Sequence, residues 1–172
     1  MHLAETLVLP AAPLTVARLL ADPDLARDAI SASGAVCEHV AVVGDADGPF
    51  TVTTLRALPA EQVPAAVRGF VGSRLQVRQV EMWDAPDDEH ARAGTVTVEV
   101  VGAPVRLDAR GTLVAHGPLV VHGGAADATA VRYDGELRAA VPLFGAVVEQ
   151  TVAQAVREAL VALDRAVRAR LA

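Results

Sequence analysis

From His2 to Leu9 the chain alternates: Leu3, Leu7 and Leu9 share one parity, as on the dry face of a strand, with Glu5 the exception on that face. Pro10 and Pro13 end this strand. Over Leu14 to Ala21, Val16, Leu19 and Leu20 recur at helical spacing. Asp22-Pro23 then supplies a capping side chain and a first-turn proline for a second helix, roughly Asp24 to Ala32, that stops at Gly34. The β-branched runs Val36 to Val43 and Pro49 to Leu58 flank Gly44-Asp45-Ala46-Asp47-Gly48, which reads as a hairpin loop. Between Pro59 and Gly72, the set Val63, Val67, Phe70 and Val71 returns to helical spacing. Leu75 to Trp83, Thr95 to Val101, Val105 to Ala115 and Ala130 to Val141 are extended in pattern. In the last of these, Val131, Tyr133, Leu137, Ala139 and Val141 oppose Arg132, Asp134, Glu136 and Arg138, the signature of a sheet with one solvated face.

The longest periodic stretch is the last. Across about Leu143 to Leu171, Val148, Val152, Val156, Leu160, Leu163, Val167 and Leu171 recur at steps of three or four, one continuous apolar stripe. Glu149 in its first turn and Arg165, Arg168 and Arg170 toward its end suit the helix dipole. Such a helix runs about 40 Å, enough to cross a whole sheet. The element order is therefore strand, two short helices, six further strands and one long helix. An all-β barrel would leave the apolar stripe uncovered, whereas a curved antiparallel sheet of about seven strands wrapped around it buries both apolar faces. The expected class is α+β, a helix-grip plan, with residues 1–172 as a single domain.

Composition narrows the partners. The 52% hydrophobic content excludes a disordered chain, and its mass is mostly aliphatic: Phe50, Phe70, Trp83, Tyr133 and Phe144 are the only aromatics. Fifteen basic residues, all arginine, against 21 acidic ones give a net charge of −6, the wrong sign for holding phosphates, so nucleic acid is not an expected partner. The lone Cys37 supports no disulfide framework, and the first residues lack the basic start and unbroken apolar run of a signal peptide. Ala139 to Val148 is about half the ~20 residues a membrane span needs. The expectation is a cytoplasmic protein without integral membrane association.

Leu75-Gln76-Val77-Arg78-Gln79-Val80-Glu81-Met82-Trp83, the lead-in Val141-Pro142-Leu143-Phe144-Gly145-Ala146-Val147-Val148-Glu149, Leu58-Pro59 and Phe70-Val71-Gly72 carry a resemblance. With the element order, they make the chain similar to a mainly actinobacterial family of unknown function in the START-like superfamily, together with birch-pollen-allergen-like and polyketide cyclase-like proteins. The likeness covers nearly the whole chain but is structural. It implies a hydrophobic cavity between sheet and long helix and transfers no catalytic residue.

The residues themselves spell out little chemistry. His2, His39, His90, His116 and His122 form no zinc spacing with a carboxylate or Cys37, and the acidic turn at Asp45 fails as a calcium loop because its twelfth position is Arg56. The acidic loop Asp84 to His90 reads as a solvated turn. Glycine pairs fit neither GxGxxG nor a phosphate loop, so no cofactor and no metal is expected. More informative are polar residues that share a strand face with apolar ones: Gln79 and Glu81 with Trp83, Arg56 with Val52, Glu5 with Leu7, Tyr133 with Leu137. Buried charge is rare, so the default reading is that these reach solvent at twisted strand edges. If instead that face lines a cavity, Arg56 and Glu81 could pair, or one of them could meet a ligand's carboxylate or hydroxyl.

The candidate ligand-contacting set is Arg56, Phe70, Gln79, Glu81, Trp83, Tyr133, Leu137, Val152, Val156, Leu160 and Leu163, with Val63 to Val71 as a flap. The leading expectation is noncatalytic binding or transport of a hydrophobic small molecule, lipid or polyketide-like. Two alternatives stay open: a cyclase or dehydratase using Glu81 or Arg56 in the same cavity, and a protein-interaction module. Self-association through a sheet edge is also left open.

Overall fold

The computed structural model describes residues 1–59, 68, 74–121 and 124–172. The expected helical segment between Pro59 and Gly72, with Phe70 and the flap, falls outside the described residues apart from Arg68. The chain runs β1 (His2–Leu9), α1 (Pro13–Leu20), α2 (Pro23–Ala32), β2 (Val36–Gly44), β3 (Phe50–Leu58), β4 (Leu75–Trp83), β5 (Arg92–Val100), β6 (Val105–Ala115), β7 (Leu119–Val121), β8 (Gly124–Ala126), β9 (Thr129–Ala139) and α3 (Gly145–Leu171). Seven strands form one antiparallel sheet in the order β1-β9-β6-β5-β4-β3-β2, and β7 and β8 make a separate small hairpin. The class is α+β, a helix-grip arrangement, as the element order implies. Among the described residues no helix is long and apolar enough to cross a membrane.

Local chemistry explains the element boundaries. The side chain of Asp22 accepts the Asp24 N–H at 2.8 Å, with Pro23 opening α2. Gly34 ends that segment at φ 82°, a conformation open to glycine because it has no Cβ. Three boundaries differ from the sequence pattern. β5 begins at Arg92, three residues before Thr95. Arg92 is only 4% exposed, donating to the carbonyl oxygens of Ala46 (2.7 Å) and Gly48 (3.3 Å) and lying 5.3 Å from the centre of the Phe50 ring. That tertiary anchoring of a cation carries no period-two signal. β9 ends at Ala139, because the Ala140 N–H turns to the Pro104 carbonyl; Val141 stays buried in the turn that follows. Glu149 is not in the first turn of α3 as a dipole partner. It accepts the Ala139 N–H (3.1 Å) and the Met1 ammonium (3.1 Å), which hold its carboxyl below the usual carboxylate range and tie β9 to the helix.

The core is divided. One cluster gathers Leu9, Val16, Leu25, Phe50, Trp83, Leu113, Val131 and Val167 around α1, α2 and the end of α3. A second gathers Leu3, Leu75, Val77, Leu107, Leu137, Val141, Val148 and Ala153 around its start. Helix α3 is thus fully buried at Val148 and Ala153 near one end and at Ala162 and Val167 near the other. Between them Val156, Leu160 and Leu163 are half-buried.

Register places Phe50, Trp83, Gly94, Gly111, Tyr133 and Glu5 side by side across six strands. A Cβ on Gly94 would fall 2.9 Å from the Trp83 ring, and one on Gly111 would fall 2.8 Å from it. The indole therefore lies over the two bare backbones and meets Tyr133 edge-on, ring centres 6.4 Å apart. Trp83 is 2% exposed, so the ring has nowhere to move. Gly111→Ala should lower unfolding free energy by about 1–3 kcal/mol. An unchanged urea midpoint would show that the ring does yield.

Candidate functional site

Between the two core clusters, the concave face of the sheet, α1, α2 and the middle of α3 enclose a cavity of about 120 Å³. Its walls are largely aliphatic: Leu20, Leu25 and Ile30 from the short helices, Val52, Val96, Val98 and Leu107 from the strands, Val156, Ala159, Leu160 and Leu163 from α3. The expected helical wall is therefore present at Val156, Leu160 and Leu163. Val152 packs against the second core cluster and does not line the cavity. Leu137, fully buried, is packed in that same cluster, and Trp83 in the first; neither reaches the cavity surface. Phe70 lies outside the described residues.

The polar residues expected at twisted strand edges instead face this interior. Arg56, Gln79, Glu81, Tyr133 and Glu5 all line the cavity. The cause is register: Thr54 stands opposite Gln79 and Val52 opposite Glu81, so the polar set of β3 and β4 shares the concave face with the valines. Glu81 is held in place by two donors. Its Oε1 accepts from Gln79 Nε2 at 2.5 Å and its Oε2 from Trp83 Nε1 at 3.1 Å. Trp83 thus acts on the site through its indole N–H from the core behind it.

Burial pushes the Glu81 carboxyl above its ordinary value; the bonds from Gln79 and Trp83 and the Arg56 charge oppose that rise without cancelling it. Burial lowers the Arg56 guanidinium, with Glu81 opposing. The two do not form an ion pair: Arg56 and Glu81 interact through space only, and both carboxylate oxygens are occupied by other donors. Burial, then Glu81, raise the Tyr133 phenol well above its ordinary value, so it stays a neutral hydroxyl. At the α3 side, Glu5 is neutralised by Arg157 at 2.7 Å. Thr54 Oγ1 is buried without a partner.

Chemically, the site offers an aliphatic container with the Arg56 cation, the Glu81 carboxyl that burial favours in its neutral form, the Glu5–Arg157 pair at its edge, the Gln79 amide, and the hydroxyls of Ser33, Thr54 and Tyr133. Among the described residues no group of three His, Cys, Asp or Glu side chains could hold a metal ion. Sequence reasoning missed Thr54, although its parity with Val52 and Arg56 would have found it. It also missed Leu25, Ala26, Ala29 and Ile30, whose spacing marks a helix face directed at the cavity.

The Glu81 shift has a consequence for stability. A carboxyl whose folded-state pKa is raised contributes stability that is full below the unfolded value of 4.5 and is lost as pH rises through the folded value. Glu81→Gln removes that titration. The stability of the variant relative to the parent should therefore climb with pH above 4.5, whatever the constant offset from its altered hydrogen bonds. Parallel pH–stability curves in urea denaturation would contradict the assignment.

Comparison with known proteins bears on fold and family. No curated protein matches the chain significantly. Among solved structures, a protein of Thermus thermophilus is 18% identical over 100% of both chains, with a TM-score of 0.57. An aromatase/cyclase from a Streptomyces species, strain R1128, is 15% identical over 100% of this chain and 96% of its own, TM-score 0.53. A STAR-related lipid transfer protein from Xanthomonas axonopodis is 16% identical over 96% of this chain and 84% of its own, TM-score 0.55. These likenesses show the helix-grip fold that the resemblance of Leu75 to Trp83 and of the lead-in to the last helix implied. The family described as "Protein of unknown function (DUF2505)" matches residues 5–171, nearly the whole length, and the chain belongs to that family.

Proposed function

We propose that residues 1–172 act as one domain whose task is reversible, noncatalytic binding of a hydrophobic small molecule in the cavity between sheet and α3. The observation that supports this is the cavity itself. Its walls carry Ala26, Ala29 and Ala159, where larger side chains would have closed the space. A ligand that fills it gains the apolar contacts that those positions leave unmade.

The volume bears on the ligand. It is close to the ~150 Å³ cavity that takes up benzene and below the ~300–1,000 Å³ of pockets that enclose a drug-sized molecule. Within the expected class of lipid or polyketide-like compounds, this favours a single ring or a short branched chain, or one such portion of a longer molecule. The same reading has the protein working in the cytoplasm, where the unpaired Cys37 is compatible with a reducing setting.

Toluene at saturation should raise the melting temperature by about 2–4 °C or more, since it binds only the folded state. Val98→Phe, which fills the cavity from the middle of the sheet, should abolish that rise while leaving the circular dichroism spectrum unchanged. Equal rises in both proteins would put toluene elsewhere and defeat the proposal.

A further inference from the structure

Among the described residues that line the cavity, Arg56 is the one charged group that an apolar ligand leaves without a partner. A guanidinium carries five N–H donors and stays protonated. Those of Arg56 have no hydrogen-bonding partner among the described residues, and the only charge acting on it is Glu81, which lies beyond ion-pair distance and is engaged by Gln79 and Trp83. The residue is half-buried and lines the cavity.

Two further groups in the same space lack partners. Thr54 Oγ1, two residues along β3 on the same face, is buried without a hydrogen bond, and the Tyr133 hydroxyl has none either among the described residues. A half-buried cation without a protein partner depends on water, and a purely hydrocarbon ligand makes its position costly by expelling that water from the site. An anion removes that cost. A planar carboxylate matches the fork of the guanidinium with two parallel bonds. A dianion does not suit the site: among the described residues one unpaired cation faces it, and Arg157 is committed to Glu5.

We propose that the cavity takes a small monocarboxylic acid, its carboxylate on the Arg56 guanidinium and its hydrocarbon part against Val98, Leu107 and Leu160. This rests on the reading of the cavity as a small-molecule site and names the class of molecule. Arg56 sets the head group, and the aliphatic walls set the size of the tail.

The test is isothermal titration calorimetry of the full chain at neutral pH with three probes of similar size: benzoate, benzamide and toluene. Benzamide keeps the shape of benzoate without its charge. Benzoate should bind about tenfold or more tightly than benzamide. Arg56→Met should erase that preference while toluene still binds, at least as tightly as to the parent. Arg56→Gln, which keeps donors but no charge, should lose the preference equally, and unchanged circular dichroism spectra of both variants check their fold. Toluene binding with no benzoate preference, or a preference that survives Arg56→Met, overturns the carboxylate assignment and leaves the apolar site standing. Failure of all three probes to bind overturns both.

Discussion

The arrangement depends on how α3 is held. Its two ends are sunk in separate hydrophobic clusters, at Val148 and Ala153 on one side and at Ala162 and Val167 on the other. Between those anchors the helix closes the cavity rather than filling it: Val156 and Leu163 lean on the second and first cluster respectively, and with Leu160 they also line the open space. The small residues Ala26, Ala29 and Ala159 keep that space from being filled. At one end Trp83 does the opposite: lying flat over Gly94 and Gly111, it fills the concave face completely. The cavity thus has a solid boundary beside it, made by one large ring on two bare backbones.

The polar groups follow from the same geometry. A strand that presents Val52 to the concave face must also present Thr54 and Arg56, and its neighbour must present Gln79 and Glu81. On a flat, solvated sheet these would be ordinary surface residues. Under a pinned helix they are enclosed, and burial rather than pairing becomes the leading influence on Arg56, Glu81 and Tyr133. Trp83 joins the two halves of the account, because the ring that closes the core also donates its N–H to Glu81.

Much of the fold was legible because it is periodic. The alternation from Val131 to Ala139 and the stripe from Val148 to Leu171 each specify an element and its dry face, and Asp22-Pro23 fixes a helix start through one hydrogen bond. Long-range anchoring was not legible. Nothing local shows that Arg92 will be buried by the carbonyl oxygens of Ala46 and Gly48, or that Glu149 will cap the end of β9. The three-residue strands β7 and β8 are too short to carry a period. For the site, parity correctly grouped Arg56, Gln79, Glu81 and Tyr133 with apolar neighbours. Whether that face meets water or a cavity depends on the curvature above it, which parity does not contain. Leu137 and Val152 share the right faces but lie past the cavity's edge, against the second cluster.

The proposed binding site requires a largely apolar space kept open between two cores. The most direct measurement is a crystal of the protein pressurised with xenon, which enters apolar cavities without requiring any particular ligand. The account predicts a xenon peak bounded by Val98, Leu107 and Leu160 with the surrounding side chains unmoved. Side chains closed over that space, with no xenon between sheet and helix, would contradict it.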